Sequence, residues 1–157
     1  MLRTFMIAVV STATFMFSAI ALAQQGGSAQ EARAMLDKAV AAVKADKTKA
    51  LDMFNKGEGG FRDRDLYVYC ANVSDAKLVA MGNPQAKQLL GTDGRTLKDA
   101  NGKAYGQEIF AAGQKPEGQV TEVTGYLFPR PSDPKPAPKD SFVTRVSDIY
   151  CGVGYYK

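Results

Sequence analysis

From Ser28 the apolar positions recur at helical spacing: Ala32, Leu36, Ala39, Val40 and Val43. Ser28 with Glu31 three residues on forms a capping-box signature, so a helix is predicted to start there. The stripe is narrow and alanine-rich, which suits close packing on a sheet. It lapses around Ala45 to Lys47, where Asp46 can cap a second helical run carrying Ala50, Leu51 and Phe54. Gly57 ends that run. The pattern then changes from helical spacing to strands. Asp65 to Cys70 is rich in aromatic and β-branched residues and reads as a strand, followed by a turn at Asn72 to Asp75 and a return strand over Ala76 to Met81. Asn83-Pro84 opens a short helix that Gly91 closes. Leu97 to Lys103 is a turn cluster, and a short helix is predicted over Ala104 to Ala112. Gly118 to Phe128, Ser141 to Ser147 and Ile149 to Tyr156 are three further strands, the last two joined by a tight turn at Ser147-Asp148. Between them, Pro129 to Pro138 holds five of the seven prolines and reads as a stiff, extended surface loop. A helix, two strands, a helical middle and three strands make an α+β fold with an antiparallel sheet.

The segment before Ser28 reads as an address. Arg3 is followed by an uncharged stretch from Phe5 to Leu22, and Ala21-Leu22-Ala23 has the small-x-small pattern of a signal-peptide cleavage site. Residues 1–23 are therefore expected to be a signal peptide cut after Ala23, leaving one domain over 24–157 in the periplasm or secreted. The alternative is an uncleaved anchor, since the stretch approaches bilayer thickness.

Composition narrows the chemistry. The 157 residues suffice for one domain. There is no histidine, which removes Ser-His and Cys-His nucleophile pairs and His-liganded zinc. Two cysteines are too few for an all-cysteine zinc site, and in an exported chain Cys70 and Cys151 are expected to close a disulfide. A formal charge of +4, one unit of it from Arg3, gives no footprint for nucleic acid.

Other motifs carry less. Asp99-Ala100-Asn101-Gly102 has the look of a calcium-loop opening but lacks the later Glu at the required spacing, so it reads as a turn. Arg62-Asp63-Arg64-Asp65 reads as a solvated turn or local salt bridges. Gly57 to Gly60 has no following Lys-Ser/Thr and is no phosphate loop. No pair of acids forms a hydrolytic pattern, and no catalytic residue, metal site or cofactor is assigned.

An ordered set of segments resembles the single Cache family (type 2), the extracytoplasmic PAS-like sensor domains of bacterial receptors. The set comprises Lys47 to Gly57, Gly60 to Cys70, Asn83-Pro84, Leu90-Gly91, Leu97 to Lys103, Tyr126 to Pro129, Lys139 to Val143 and Gly152 to Tyr156. The resemblance implies a PAS-like Cache fold: a long N-terminal helix packed on a five-stranded antiparallel sheet of order 2-1-5-4-3, with a small-ligand pocket beside it. It implies non-catalytic binding of short organic acids and similar metabolites, and it makes Lys139 a candidate for anion contact. Where the family usually has His-Pro after the second strand this chain has Met81-Gly82, and where it commonly has Trp the chain has Phe128.

The resemblance sets the first strand beside the fifth. With Cys70 facing Cys151, Tyr69 then lies opposite Gly152, Val68 opposite Val153 and Tyr67 opposite Gly154. Side chains alternate faces, so Leu66, Val68, Cys70, Cys151, Val153 and Tyr155 share an aliphatic face suited to the helix. Tyr67, Tyr69, Gly152 and Gly154 share the other. A two-residue turn at Ser147-Asp148 adds Ser141, Val143 and Arg145 to this second face; a turn longer by one adds Phe142 and Thr144 instead. Two readings stay open. One is a ligand pocket in which Lys139 or Arg145 neutralises an acid, Tyr67 and Tyr69 shape it and hydrogen-bond, and Met81 and Phe128 form apolar walls. The other is a closed pocket in which tyrosine rings cover glycines, leaving a structural or protein-interaction module. The first reading describes a stand-alone exported sensor or carrier, not an enzyme, passing occupancy to a membrane receptor or transporter, with a homodimer as a further candidate assembly.

Overall fold

The computed structural model describes residues 26–157; the expected signal peptide and its cleavage after Ala23 lie outside them. Helix α1, Ala29–Ala45, opens on the full capping box: the Glu31 amide donates to Ser28 Oγ at 3.2 Å and the Ser28 amide to Glu31 Oε2 at 2.8 Å. Helix α2, Lys47–Lys56, follows after one residue. Asp46 makes the break by serving both helices. Its amide closes α1 on the Ala42 carbonyl, and its carboxylate accepts from the Lys49 amide at 3.0 Å. The long N-terminal helix is thus two helices. Gly57 stops α2 in the left-handed region, with φ 72°.

The strands are β1 Arg62–Asp63, β2 Leu66–Asn72, β3 Leu78–Met81, β4 Thr121–Arg130, β5 Asp133–Val146 and β6 Ile149–Tyr156. All pair antiparallel in the order β1-β2-β6-β5-β4, with β3 also on β2. The five longer strands follow the expected order; β1 is an additional two-residue ribbon. Val68 pairs with Val153, Tyr69 with Gly152 and Cys70 with Cys151, and the two cysteines form a disulfide with Cα atoms 4.1 Å apart. Val146 pairs with Ile149, so the β5–β6 turn has two residues and Ser141 stands opposite Gly154.

The proline stretch corrects the sequence reading. It is not a loop, because β4 runs through Arg130 and β5 begins at Asp133, with Pro129 paired to Pro136 and Leu127 to Pro138. The reason is register. The Lys157 amide donates to the Pro138 carbonyl, so Pro138 presents its backbone polar edge toward β6. Pro136 and Pro134, two and four residues earlier, face the same way, past the end of β6, where no ladder donor is required.

The two sheet faces differ as the alternation requires. One packs Leu66, Val68, Ile149 and Val153 against Leu36, Ala39 and Phe54 of the two helices. The other carries tyrosines and is covered by 3-10 turns at Pro84–Leu89 and Gly94–Thr96 and by helix α3, Tyr105–Gly113. The helix predicted after Asn83 is therefore 3-10, with a kink at Ala86.

Candidate functional site

Between the tyrosine face and its cover lies a cavity of about 40 Å³. That is room for a few waters or the head of a small molecule. β2 contributes Tyr67 and Tyr69, β3 Met81, β4 Phe128 and β5 Lys139, so these five candidate residues share one wall system. Arg145 does not join them. It lies six residues along β5 from Lys139, about 20 Å for an extended strand. There it donates from Nε to the Ser147 carbonyl at 3.0 Å, in the β5–β6 turn.

Lys139 is the unusual group. It is 1% exposed and, among the described residues, forms no ion pair. Its stem runs across Gly154, in the space that a Cβ there would occupy. Its Nζ donates to the Tyr67 hydroxyl and lies 4.0, 4.9 and 5.0 Å from the ring centroids of Tyr67, Tyr156 and Phe128. An ammonium has three N–H donors, so one oxygen acceptor leaves it underused. Burial among rings pushes its pKa well below the usual lysine value, and the carboxylate of Asp65 opposes this only in part. Asp65 is engaged elsewhere: it accepts from the Gly27 amide and pairs with Arg130, whose guanidinium lies 4.4 Å from the Tyr156 ring centroid.

The tyrosines form a linked wall. Tyr67 and Tyr156 hydroxyls stand 3.5 Å apart, and Tyr156 donates to the Pro129 carbonyl at 2.6 Å. The Tyr126 hydroxyl meets Ser141 Oγ at 2.5 Å. Burial raises the pKa of Tyr67, Tyr69 and Tyr126, which keeps them as neutral hydroxyls. Among the described residues the buried Tyr69 hydroxyl has no hydrogen-bond partner, and its ring covers Gly152. At Gly154 the covering groups are Lys139 and Ser141, not Tyr67.

Several lining residues escaped the sequence reading. Tyr126 lies two residues before Phe128 on the same strand face, a signal that alternation offers. Tyr105 and Ile109 come from α3, and Leu89 and Leu97 from the cover, where only the tertiary fold brings them to the cavity. Tyr105 stacks on Tyr126 with ring centroids 4.8 Å apart. The Arg62–Asp65 run is spent on structure: Arg64 pairs with Asp63 and Glu31, and Arg62 donates to the Gly82 carbonyl. Asp99 is likewise occupied, accepting from the amides of Asn101, Lys103 and Leu127 and so pinning its turn to β4.

The family model described as Single Cache domain 2 matches residues 5–156. Among curated proteins none matches this chain. Three solved structures share the fold. A methyl-accepting chemotaxis protein from Vibrio parahaemolyticus is 22% identical with a TM-score of 0.63, covering 81% of this chain and 86% of its own. A periplasmic sensor domain of a chemotaxis protein is 24% identical, TM-score 0.60, covering 81% and 88%. A Cache chemosensory domain, solved to show the structural basis of carboxylic acid recognition, is 21% identical, TM-score 0.58, covering 81% and 86%.

Proposed function

The chain belongs to the single Cache domain 2 family, and from that membership we propose that it is an extracytoplasmic sensor or carrier domain that holds a short organic acid against Lys139. The observation that carries this reading is a buried lysine that, among the described residues, forms no ion pair, on the wall of a tyrosine-lined cavity. A buried amine in that position lacks a counter-charge, and a carboxylate supplies both charge and hydrogen-bond acceptors. The Tyr67 hydroxyl, already on Nζ, is placed to share the ligand's oxygens. Recognition of carboxylic acids by one structural neighbour is consistent with this chemistry. Export and a membrane receptor or transporter as partner belong to the same proposal; among the described residues no helix is long and apolar enough to cross a membrane.

A second reading, a closed module without ligand, is favoured by the size of the cavity, about 40 Å³, and by the Tyr69 ring over Gly152. Thermal unfolding with a panel of short carboxylates, amino acids and amides separates the two. Ligand at 100 times its Kd adds about 2.7 kcal/mol. Stabilisation by short acids that disappears in Lys139→Met supports the sensor. No response across the panel supports the closed module.

A further inference from the structure

Next to the inner cavity lies an outer groove of about 270 Å³, between the 3-10 turn at Pro84–Leu89, the loop at Leu97–Ala100 and residues 127–129 of β4. Four residues line both spaces: Leu89, Leu97, Tyr105 and Phe128. Phe128 is 9% exposed, so its ring stands between the spaces instead of lying on the surface. One side of it looks toward Lys139 Nζ, 5.0 Å from the ring centroid. The Tyr105 ring meets it edge-on at 6.0 Å. The backbone on either side is fixed. The Leu127 amide donates to Asp99 Oδ2, and the Pro129 carbonyl accepts from Asn83 Nδ2 and the Tyr156 hydroxyl. Beyond the ring, Leu89, Leu97, Pro129 and Pro136 give the groove apolar walls.

We propose that Phe128 sets the length of the acid the site accepts: its ring partitions one potential channel into a head chamber at Lys139 and an outer groove shaped for an alkyl tail. The native protein then takes the shortest straight-chain acids, and a smaller residue at 128 joins the two spaces and admits longer ones. This inference rests on the reading of Lys139 as the carboxylate anchor.

The test is calorimetric titration of acetate, propionate, butyrate and hexanoate into the native protein, Phe128→Ala and Leu89→Ala. Leu89 also lines both spaces and is only partly buried, so its variant keeps the question open to test if Phe128→Ala fails to fold. The native protein is expected to prefer acetate or propionate. Phe128→Ala is expected to bind hexanoate at least about tenfold more tightly than the native protein does, from burial of the added methylenes, with Leu89→Ala moving the same way. Native binding of hexanoate as tight as that of acetate overturns the proposal. So does an unchanged order of affinities in folded variants that still bind acetate. A native protein that binds none of the four overturns the Lys139 reading itself, and the length limit falls with it.

Discussion

The side chain of Lys139 occupies the space that a side chain on Gly154 would need. A Cβ built on Gly154 collides with Lys139 Cε and comes within 2.5 Å of Ser141 Oγ and 2.9 Å of the Asp140 carbonyl. The glycine is thus what lets a β5 lysine lie across β6 and reach the tyrosine wall. Gly154→Ala is expected to lower stability by roughly 1–3 kcal/mol through overpacking. It is also expected to abolish stabilisation by acetate or propionate, because Nζ is driven out of its cage. Thermal melts with and without the acids check both effects. Retained acid stabilisation in the variant argues against this placement of Lys139.

Stability should depend on pH through Lys139. Burial depresses its pKa in the folded state, while in the unfolded chain it holds its proton up to about pH 10.4. Between those two values the unfolded state binds more protons, so stability rises with pH, by at most about 1.4 kcal/mol per unit. Above about pH 10 the buried tyrosines act in the opposite direction, because their ionisation is easier in the unfolded chain. The informative window therefore lies below about pH 9.5. Denaturant titrations across it should show a positive slope in the native protein that is reduced in Lys139→Met, where the lowered pKa of the partly buried Lys87 still contributes. Equal slopes in the two proteins defeat the assignment.

The disulfide joins residues 81 apart in sequence and lies in the helix-facing core. On the chain-entropy model, closing so long a loop contributes about 4 kcal/mol. The Cys70→Ala, Cys151→Ala double variant should lose most of that in urea unfolding at unchanged pH. A loss under about 1 kcal/mol indicates that the β2–β6 pairing already constrains the unfolded ensemble.

Much of the sheet was legible because few local rules compete there. With β2 set beside β6 by the family resemblance and Cys70 facing Cys151, strict alternation determines which residues of β2 and β6 share a face, and Tyr69 opposite Gly152 follows by counting; which β5 residues join them depends on the turn, and the structure shows two residues there. Pro129 to Pro138 misled because proline content speaks for a loop unless one knows that β6 ends early and leaves that edge unpaired. Arg145 was placed on the correct face, yet parity carries no information about distance along the strand. Tyr105 and Leu97 reach the cavity through packing of the cover, for which neither period nor spacing gives a signal.

Acid binding should take up a proton. In the free protein Lys139 sits among the rings of Tyr67, Phe128 and Tyr156, and its proton is held weakly. Short carboxylic acids are anions at neutral pH, so a complex with a neutral amine has one unpaired buried charge, which is costly. Protonating Nζ as the acid arrives turns that charge into a paired one, and the proton must come from solvent. Asp65 is the acid whose charge acts on this balance, and it is already paired with Arg130 and the Gly27 amide. Calorimetry of acetate binding at pH 8.5 in phosphate and in Tris should give enthalpies that differ in the direction of proton uptake, in proportion to the difference between the buffers' heats of ionisation. Affinity should weaken as pH rises from 7.5 to 9.5, by at most about tenfold per unit. Identical enthalpies in the two buffers, with affinity flat in pH, mean that Lys139 already carries its proton before the acid arrives.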